Sequence, residues 1–268
     1  MKLCVIGLGK IGTALIQGIL NSGLYSQNKI IGSDIKVKNT DINEEYFNIE
    51  TTNNNVESVK KADAVLLAIK PQVMDHVLEE IREAVKGKLI ISIAAGISNS
   101  HLKEKLALDV RTIRVMPNTP VLVKSGISAV APGQNATDSD VKLVKNILEG
   151  VGEVVEVKEN LMDAITGLSG SGPAFIYIMI EALADGGVLA GISREMAVQL
   201  TAQTMLGSAK MVLETKNHPG LLKDMVTSPA GTSIRGIEVL EKHGIRGILI
   251  DAVKEAALRS KELNSIDN

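Results

Sequence analysis

The chain has 268 residues, 45% of them apolar, a length that supports one large domain or two modest ones, each able to bury a core. A formal net charge of -2 and an aromatic content of 2% exclude the basic, base-stacking surface of a nucleic-acid binder. The single cysteine, Cys4, excludes an intrachain disulfide and fits a reducing, cytoplasmic setting, while apolar runs such as "ADAVLLAI" fall short of the ~20 residues of a membrane helix.

In chain order, "KLCVI" reads as a short strand, "GLGKIG" as a glycine turn, and "TALIQGILNSG" as a helix with apolar residues at helical spacing. A second strand, "KIIGSD", follows, and "ADAVLLAI", "KLIISIAA" and "VRTIRVM" read as three more. Between them "QVMDHVLEEIREAV" and "SNSHLKEKLA" read as helices. Strands alternating with helices predict a parallel sheet covered on both faces, and the nearly continuous apolar strands agree. From about residue 165 only helices are predicted, over 173–190, 193–215, 219–226, 232–243 and 245–263. The expected organisation is an α/β domain over 1–162 and an all-helical domain over 163–268. The first helix of the second half, "AFIYIMIEALADGGVLAG", is apolar around most of its circumference, so it is either a central core helix or one buried against a second subunit.

Gly7, Gly9 and Gly12 follow a strand and open a helix. Glycines in that context permit a tight turn and let the backbone approach a pyrophosphate with helix N–H groups aimed at it. Asp34 closes the second strand, where a ribose partner is expected, so the pattern reads as dinucleotide binding; turn glycines without a ligand are the alternative. Ligands of an open α/β sheet lie outside the carboxyl ends of the strands, which brings Ala68, Lys70, Pro71, Ala95 and Gly96 to the same cleft. Lys70 reads equally as a solvated loop cation. In "RVMPNTP" the prolines fix the loop while Asn118 and Thr119 supply polar groups, with a plain turn as the alternative. "SPAGTS", residues 228–233, precedes a helix, so Ser228, Thr232, Ser233 and the free N–H groups form either a cradle for a small carboxylate or an ordinary N-cap. "GLSGSGPAF" places small residues at the entrance of the apolar helix, where chain segments can approach closely. The histidines read as capping or exposed groups, and none falls at metal-ligand spacing.

These stretches, with "EALADGGVLAG", "TAQTMLGSAKMVLE", "HPGLLKDMVTSPAGTSI" and "AVKEAALRSKEL", resemble pyrroline-5-carboxylate reductase from the first strand to about residue 263. The resemblance implies an N-terminal Rossmann-type dinucleotide-binding domain and a C-terminal helical domain that interlocks with its mate in a homodimer. It implies reduction of the cyclic imine 1-pyrroline-5-carboxylate to L-proline with NADP(H) or NAD(H), the last step of proline biosynthesis. By matched position, cofactor contacts fall on Gly7, Leu8, Gly9, Lys10, Ile11, Gly12, Ser33, Asp34, Asn55, Ala68, Ile69, Lys70, Pro71, Ala94, Ala95 and Gly96, with Asn118 near the nicotinamide. The substrate site falls on Ser228, Thr232 and Ser233, with Glu159 as a neighbour and Ser233 at the reacting nitrogen. Two departures stand out: Ala230 and Ser233 replace a glycine and a threonine of the family's "SPGGTT", and Lys10 stands where Asn is commoner.

On cofactor choice the residues pull apart. Asp34 favours a ribose hydroxyl and hence NADH, whereas Ser33, Lys36 and Lys38 favour a 2′-phosphate. Use of both is expected, with a mild preference for NADPH. Two rival functions share the plan. A related imine or hydroxyacid reductase is one, although the lysine that hydroxyacid members need is missing from residues 164–190. A nonenzymatic dinucleotide-binding regulator is the other, and the intact "SPAGTS" argues against it.

Overall fold

The computed structural model describes residues 1–37, 42–43, 46–106 and 109–266. Its described strands form one sheet: β1 (Leu3–Ile6), β2 (Ile30–Ser33), β3 (Ile42–Asn43), β4 (Ile49–Thr52), β5 (Ala64–Leu67), β6 (Leu89–Ser92), β7 (Arg111–Pro117), β8 (Gly126–Pro132) and β9 (Gly152–Glu156). The spatial order is β3-β4-β2-β1-β5-β6-β7-β8-β9. The run from β4 to β7 is parallel and doubly wound, and the order reverses between β1 and β5, so a crevice opens there at the carboxyl ends of the strands.

The expected parallel sheet is present from β4 to β7, and beyond it two pairs are antiparallel: β3 runs antiparallel to β4, and β8 runs antiparallel to β7. Only a single helical turn, Thr119–Val123, links β7 to β8, and so short a link cannot make the crossover that a parallel pair requires. Strands β3, β4, β8 and β9 are absent from the sequence reading because "IETT" and "GEVVE" carry too little apolar signal.

Helices α1 (Lys10–Asn21), α2 (Asn55–Lys60), α3 (Met74–Ile81), α4 (Asn99–Lys105) and α5 (Asp138–Glu149) cover the sheet. Alternate side chains of each strand point to opposite faces. Leu3 and Val5 therefore join one core with Leu15, Ile19, Val144 and Ile147 of α1 and α5. Cys4 and Ile6 join the other with Val59, Met74, Leu78 and Leu102 of α2, α3 and α4. Burial pushes the Cys4 thiol up to about 12, against a 3.3 Å hydrogen bond to Ser58, so it is chemically quiet.

The remaining helices are α6 (Met162–Ile165), α7 (Gly172–Leu189), α8 (Arg194–Thr215), α9 (Pro219–Met225), α10 (Thr232–Lys242) and α11 (Ile245–Ile266), and a π-helical turn, Thr166–Gly170, joins α6 to α7. These match the helices predicted beyond residue 172 to within a few residues. The chain divides into two compact units, 1–171 with 255–268, and 172–254. The boundary expected after residue 162 therefore moves. Met162 is fully buried against Ala129 and Ala131 of β8, and Ser260 of α11 donates to Asp163 at 2.8 Å, so both flanks of the helical region belong to the first unit.

Within the second unit only Ala184 and Ala197 are buried. A Cβ on Gly187 would lie 3.2 Å from that of Ala197, so small residues bring α7 and α8 together. Yet Tyr177 and Ile178 of α7 stay 60% and 65% exposed. The helical run Glu159–Leu189 holds an 18-residue window of mean hydropathy 1.4, enough by length and composition to cross a membrane, which exceeds the apolar runs weighed in the sequence.

Candidate active site

The glycine turn is fixed by two close approaches. Gly7 has φ +98°, and a Cβ there would lie 2.4 Å from the Ala68 carbonyl oxygen; one on Gly12 would lie 2.1 Å from that of Gly7. Gly9 is different, because a Cβ there would meet nothing within 4 Å: the space above it is open. Gly9 caps α1 in an extended conformation without a side-chain cap, and the first turn carries no acid. The N–H groups of Lys10, Ile11 and Gly12 therefore lack helical acceptors. An open glycine over a helix start fits a dinucleotide pyrophosphate. Leu8 contributes backbone only, since its side chain packs under Gly32.

Asp34 is locked in place. Its Oδ2 accepts from Leu8 N at 2.9 Å and its Oδ1 from Lys36 N at 3.0 Å, which keeps the carboxylate at the end of β2 beside the glycine turn. Ser33 departs from the sequence reading. It is fully buried, and its hydroxyl donates to Asn55 Oδ1 at 2.7 Å while Asn55 Nδ2 donates to Glu80 at 2.8 Å. Ser33 and Asn55 thus form a buried hydrogen-bonded pair at the carboxyl end of β2, with the Ser33 hydroxyl turned inward. Lys38 lies outside the described residues.

On the other side of the crevice, Ala68 N donates to the Ile6 carbonyl at 2.8 Å, which holds "AIKPQ" against the glycine turn. Ile69 lies partly buried on the second core, and Lys70 is exposed at the cap of the turn Pro71–Val73. The loop after β6 is anchored by buried Ala94 and Ile97, leaves Ala95 half-buried, and turns at Gly96 with φ +77°. Asn118 has both ends of its amide engaged: Oδ1 accepts from Ile127 N at 3.0 Å and Nδ2 donates to Ser169 of the π-helical turn at 3.4 Å. It clamps the end of β7 to β8 and to the π-helical turn.

Arg114, Asp163 and Asn99, which the sequence reading passed over, gather around Glu159 at the end of the loop after β6. Arg114 of β7 is 3% exposed, and burial pulls its guanidinium below the ordinary value against the support of Asp163 and Glu159. Its Nη1 stands 3.9 Å from Glu159 Oε1 and its Nη2 3.7 Å from Asp163 Oδ1. Glu159 Oε1 also accepts from Asn99 N at 2.6 Å. The carboxylate given to the substrate by sequence likeness is thus engaged inside the first unit. One signal was available: an arginine inside the apolar strand "VRTIRVM" must find an acid when buried.

In the second unit, Ser228 to Ser233 form a turn into α10. Gly231 N donates to the Ser228 carbonyl at 3.0 Å, and Ala230 takes φ +58°. A Cβ on Gly231 would lie 2.3 Å from Ser228 Oγ, so the missing side chain lets that hydroxyl sit over the helix start. Gly231 caps α10 without a side-chain hydrogen bond, and the first turn has no acid. Thr232 and Ser233, both exposed, present hydroxyls and free N–H groups on one side of the turn. This arrangement can hold a small carboxylate.

Residues 159–263 match the family model described as pyrroline-5-carboxylate reductase dimerisation, and residues 2–96 match that of NADP oxidoreductase, coenzyme F420-dependent. Across 263 residues, 98% of this chain and 97% of the relative, the sequence is 48% identical to pyrroline-5-carboxylate reductase of Methanosarcina acetivorans. The chain belongs to the pyrroline-5-carboxylate reductase family. Solved structures of pyrroline-5-carboxylate reductases agree. That of Coxiella burnetii has a TM-score of 0.91 at 34% identity, and that of Plasmodium falciparum, with NADP bound, 0.89 at 34%; each comparison covers 98% of both chains. Ala230, which replaces a glycine of the family's "SPGGTT", keeps the left-handed conformation that a glycine adopts without strain.

Proposed function

We propose that this chain is a pyrroline-5-carboxylate reductase that converts 1-pyrroline-5-carboxylate to L-proline with NADPH, and with NADH as a second donor, acting as a homodimer. The observation that carries this reading is the full-length identity to reductases of that name, 48% over 263 residues. When bound, the dinucleotide supplies a hydride. The N–H groups of Lys10, Ile11 and Gly12 receive its pyrophosphate, and Gly9 leaves room for it. Ser228 Oγ and the N–H groups of Thr232 and Ser233 donate to the substrate carboxylate. The protonated imine nitrogen donates to Ser233 Oγ, which fixes the face of the ring that receives hydride at carbon. A protonated imine is already a strong electrophile, so the residues need only orient it, and no general acid is required.

The test is oxidation of NADPH and NADH by the purified chain with the cyclic imine. Turnover is expected with the wild type. Ser233→Ala is expected to lower kcat/KM by about 10- to 150-fold, the equivalent of a lost hydrogen bond to a charged group at about 1.5–3 kcal/mol, without weakening NADP binding. No turnover by the wild type, or an unchanged kcat/KM in the variant, overturns the assignment.

A further inference from the structure

Glu159, Arg114 and Asn99 come from three separate stretches of chain and meet behind the loop 93–98. That loop follows β6, on the side of the crevice that a dinucleotide's nicotinamide half occupies in a doubly wound sheet. Its first end is tied to the sheet by Ile93 N, which donates to the Leu67 carbonyl at 3.2 Å. Its middle is held by Ala94 and Ile97, which are 4% and 2% exposed. Its far end is Asn99, whose Nδ2 donates to the Ala131 carbonyl at 3.1 Å and whose N–H donates to Glu159 at 2.6 Å across 60 positions of sequence. The Glu159 carboxylate is in turn drawn inward by the buried Arg114 guanidinium.

We infer that Glu159 is a positioning residue for the cofactor, which acts through Asn99 to set the backbone of Ala94–Gly96, and that it makes no contact with the substrate. The inference rests on the reductase function proposed above. Along the loop Ala95 is half-buried and left-handed Gly96 buried, between the anchored Ile93 and Asn99, so a shift of the loop's far end moves the Ala94–Gly96 backbone directly. Arg114 has two acids within 4 Å, and Asp163 remains as its partner when Glu159 is replaced, which favours a folded variant.

The experiment measures NADP binding to the full chain by calorimetry alongside KM for NADPH and for 1-pyrroline-5-carboxylate. Glu159→Ala is expected to raise the Kd for NADP and KM for NADPH by tenfold or more, with KM for the imine within threefold of the wild type. Glu159→Gln retains an acceptor for Asn99 N–H, and is expected to keep the Kd for NADP within threefold. An unchanged Kd for NADP in Glu159→Ala overturns the positioning role, as does an imine KM that rises as much as the Kd. If the alanine variant does not fold, Glu159→Gln decides alone: an imine KM raised tenfold returns the carboxylate to the substrate and overturns the inference, whereas an imine KM within threefold supports it. Wild-type protein that binds neither NADP nor NAD sinks the reductase function instead, so the two failures are distinguishable.

Discussion

Asp34 sits at the point where local geometry decides between two cofactors. Its two backbone hydrogen bonds, from Leu8 N and Lys36 N, oppose an outward rotation of the carboxylate, and under the proposed cofactor binding its charge would disfavour a 2′-phosphate. Asp34→Ala is therefore expected to raise the ratio of kcat/KM for NADPH over NADH by tenfold or more, about 1.4 kcal/mol. The check is steady-state kinetics with each cofactor at fixed imine and salt, and an unchanged ratio would remove Asp34 from cofactor choice. Ala230 carries a different cost. At φ +58° an L-residue gives up about 1–2 kcal/mol, while glycine's freedom in the unfolded chain takes back about 0.4–1. Ala230→Gly is expected to raise the urea midpoint by the equivalent of up to about 1.6 kcal/mol, and a lowered midpoint would contradict the strain. Ala230 was legible in sequence because its conformation is set within its own turn, and Asp34 because it closes a strand that follows a glycine turn, although the Leu8 N–H that holds it lies 26 positions away. Ser33 was misread because "GSD" does not reveal that its hydroxyl turns inward to Asn55, 22 positions on.

Helix α7 poses a problem that its own unit does not solve. Tyr177, Ile178 and Leu183 are exposed on it, and only Ala184 is buried. Two buried alanines cannot hold a helical unit against the conformational entropy of folding. The dimerisation match over residues 159–263 and the proposed homodimer supply the missing cover. Ile178→Glu, which places a charge on that face, is expected to shift the chain from dimer to monomer in sedimentation velocity and to lower its thermal stability. A dimer of unchanged strength would show that this face is covered by something else. The sequence revealed helices α7 to α11 to within a few residues because turn residues such as Gly191, Pro219 and Gly244 mark their ends. It did not reveal β4 or β9, whose residues are largely polar and whose strand character comes from pairing with β2 and β8.

At the scale of the whole chain, distant segments of the first unit meet through polar contacts that no local pattern announces. Ser260 reaches Asp163 across 97 positions, and Asp163 also stands 3.7 Å from the buried Arg114, so the end of α11 is tied to the sheet through one carboxylate. Ser260→Ala is expected to cost about 1.5–3 kcal/mol, a fall in Tm of roughly 3–10 °C for a chain of this size. Circular dichroism melts would check it, and an unchanged Tm would show that apolar packing alone anchors the helix. The same anchoring orders the birth of the protein. Because residues 255–268 complete a unit begun at residue 1, the nucleotide-binding half stays unfinished on the ribosome until the whole helical insert between them has been synthesised. A chain released before α11 emerges would lack the Ser260 hydroxyl that donates to Asp163, so a contact between residues 163 and 260 can form only after every helix between them has been made.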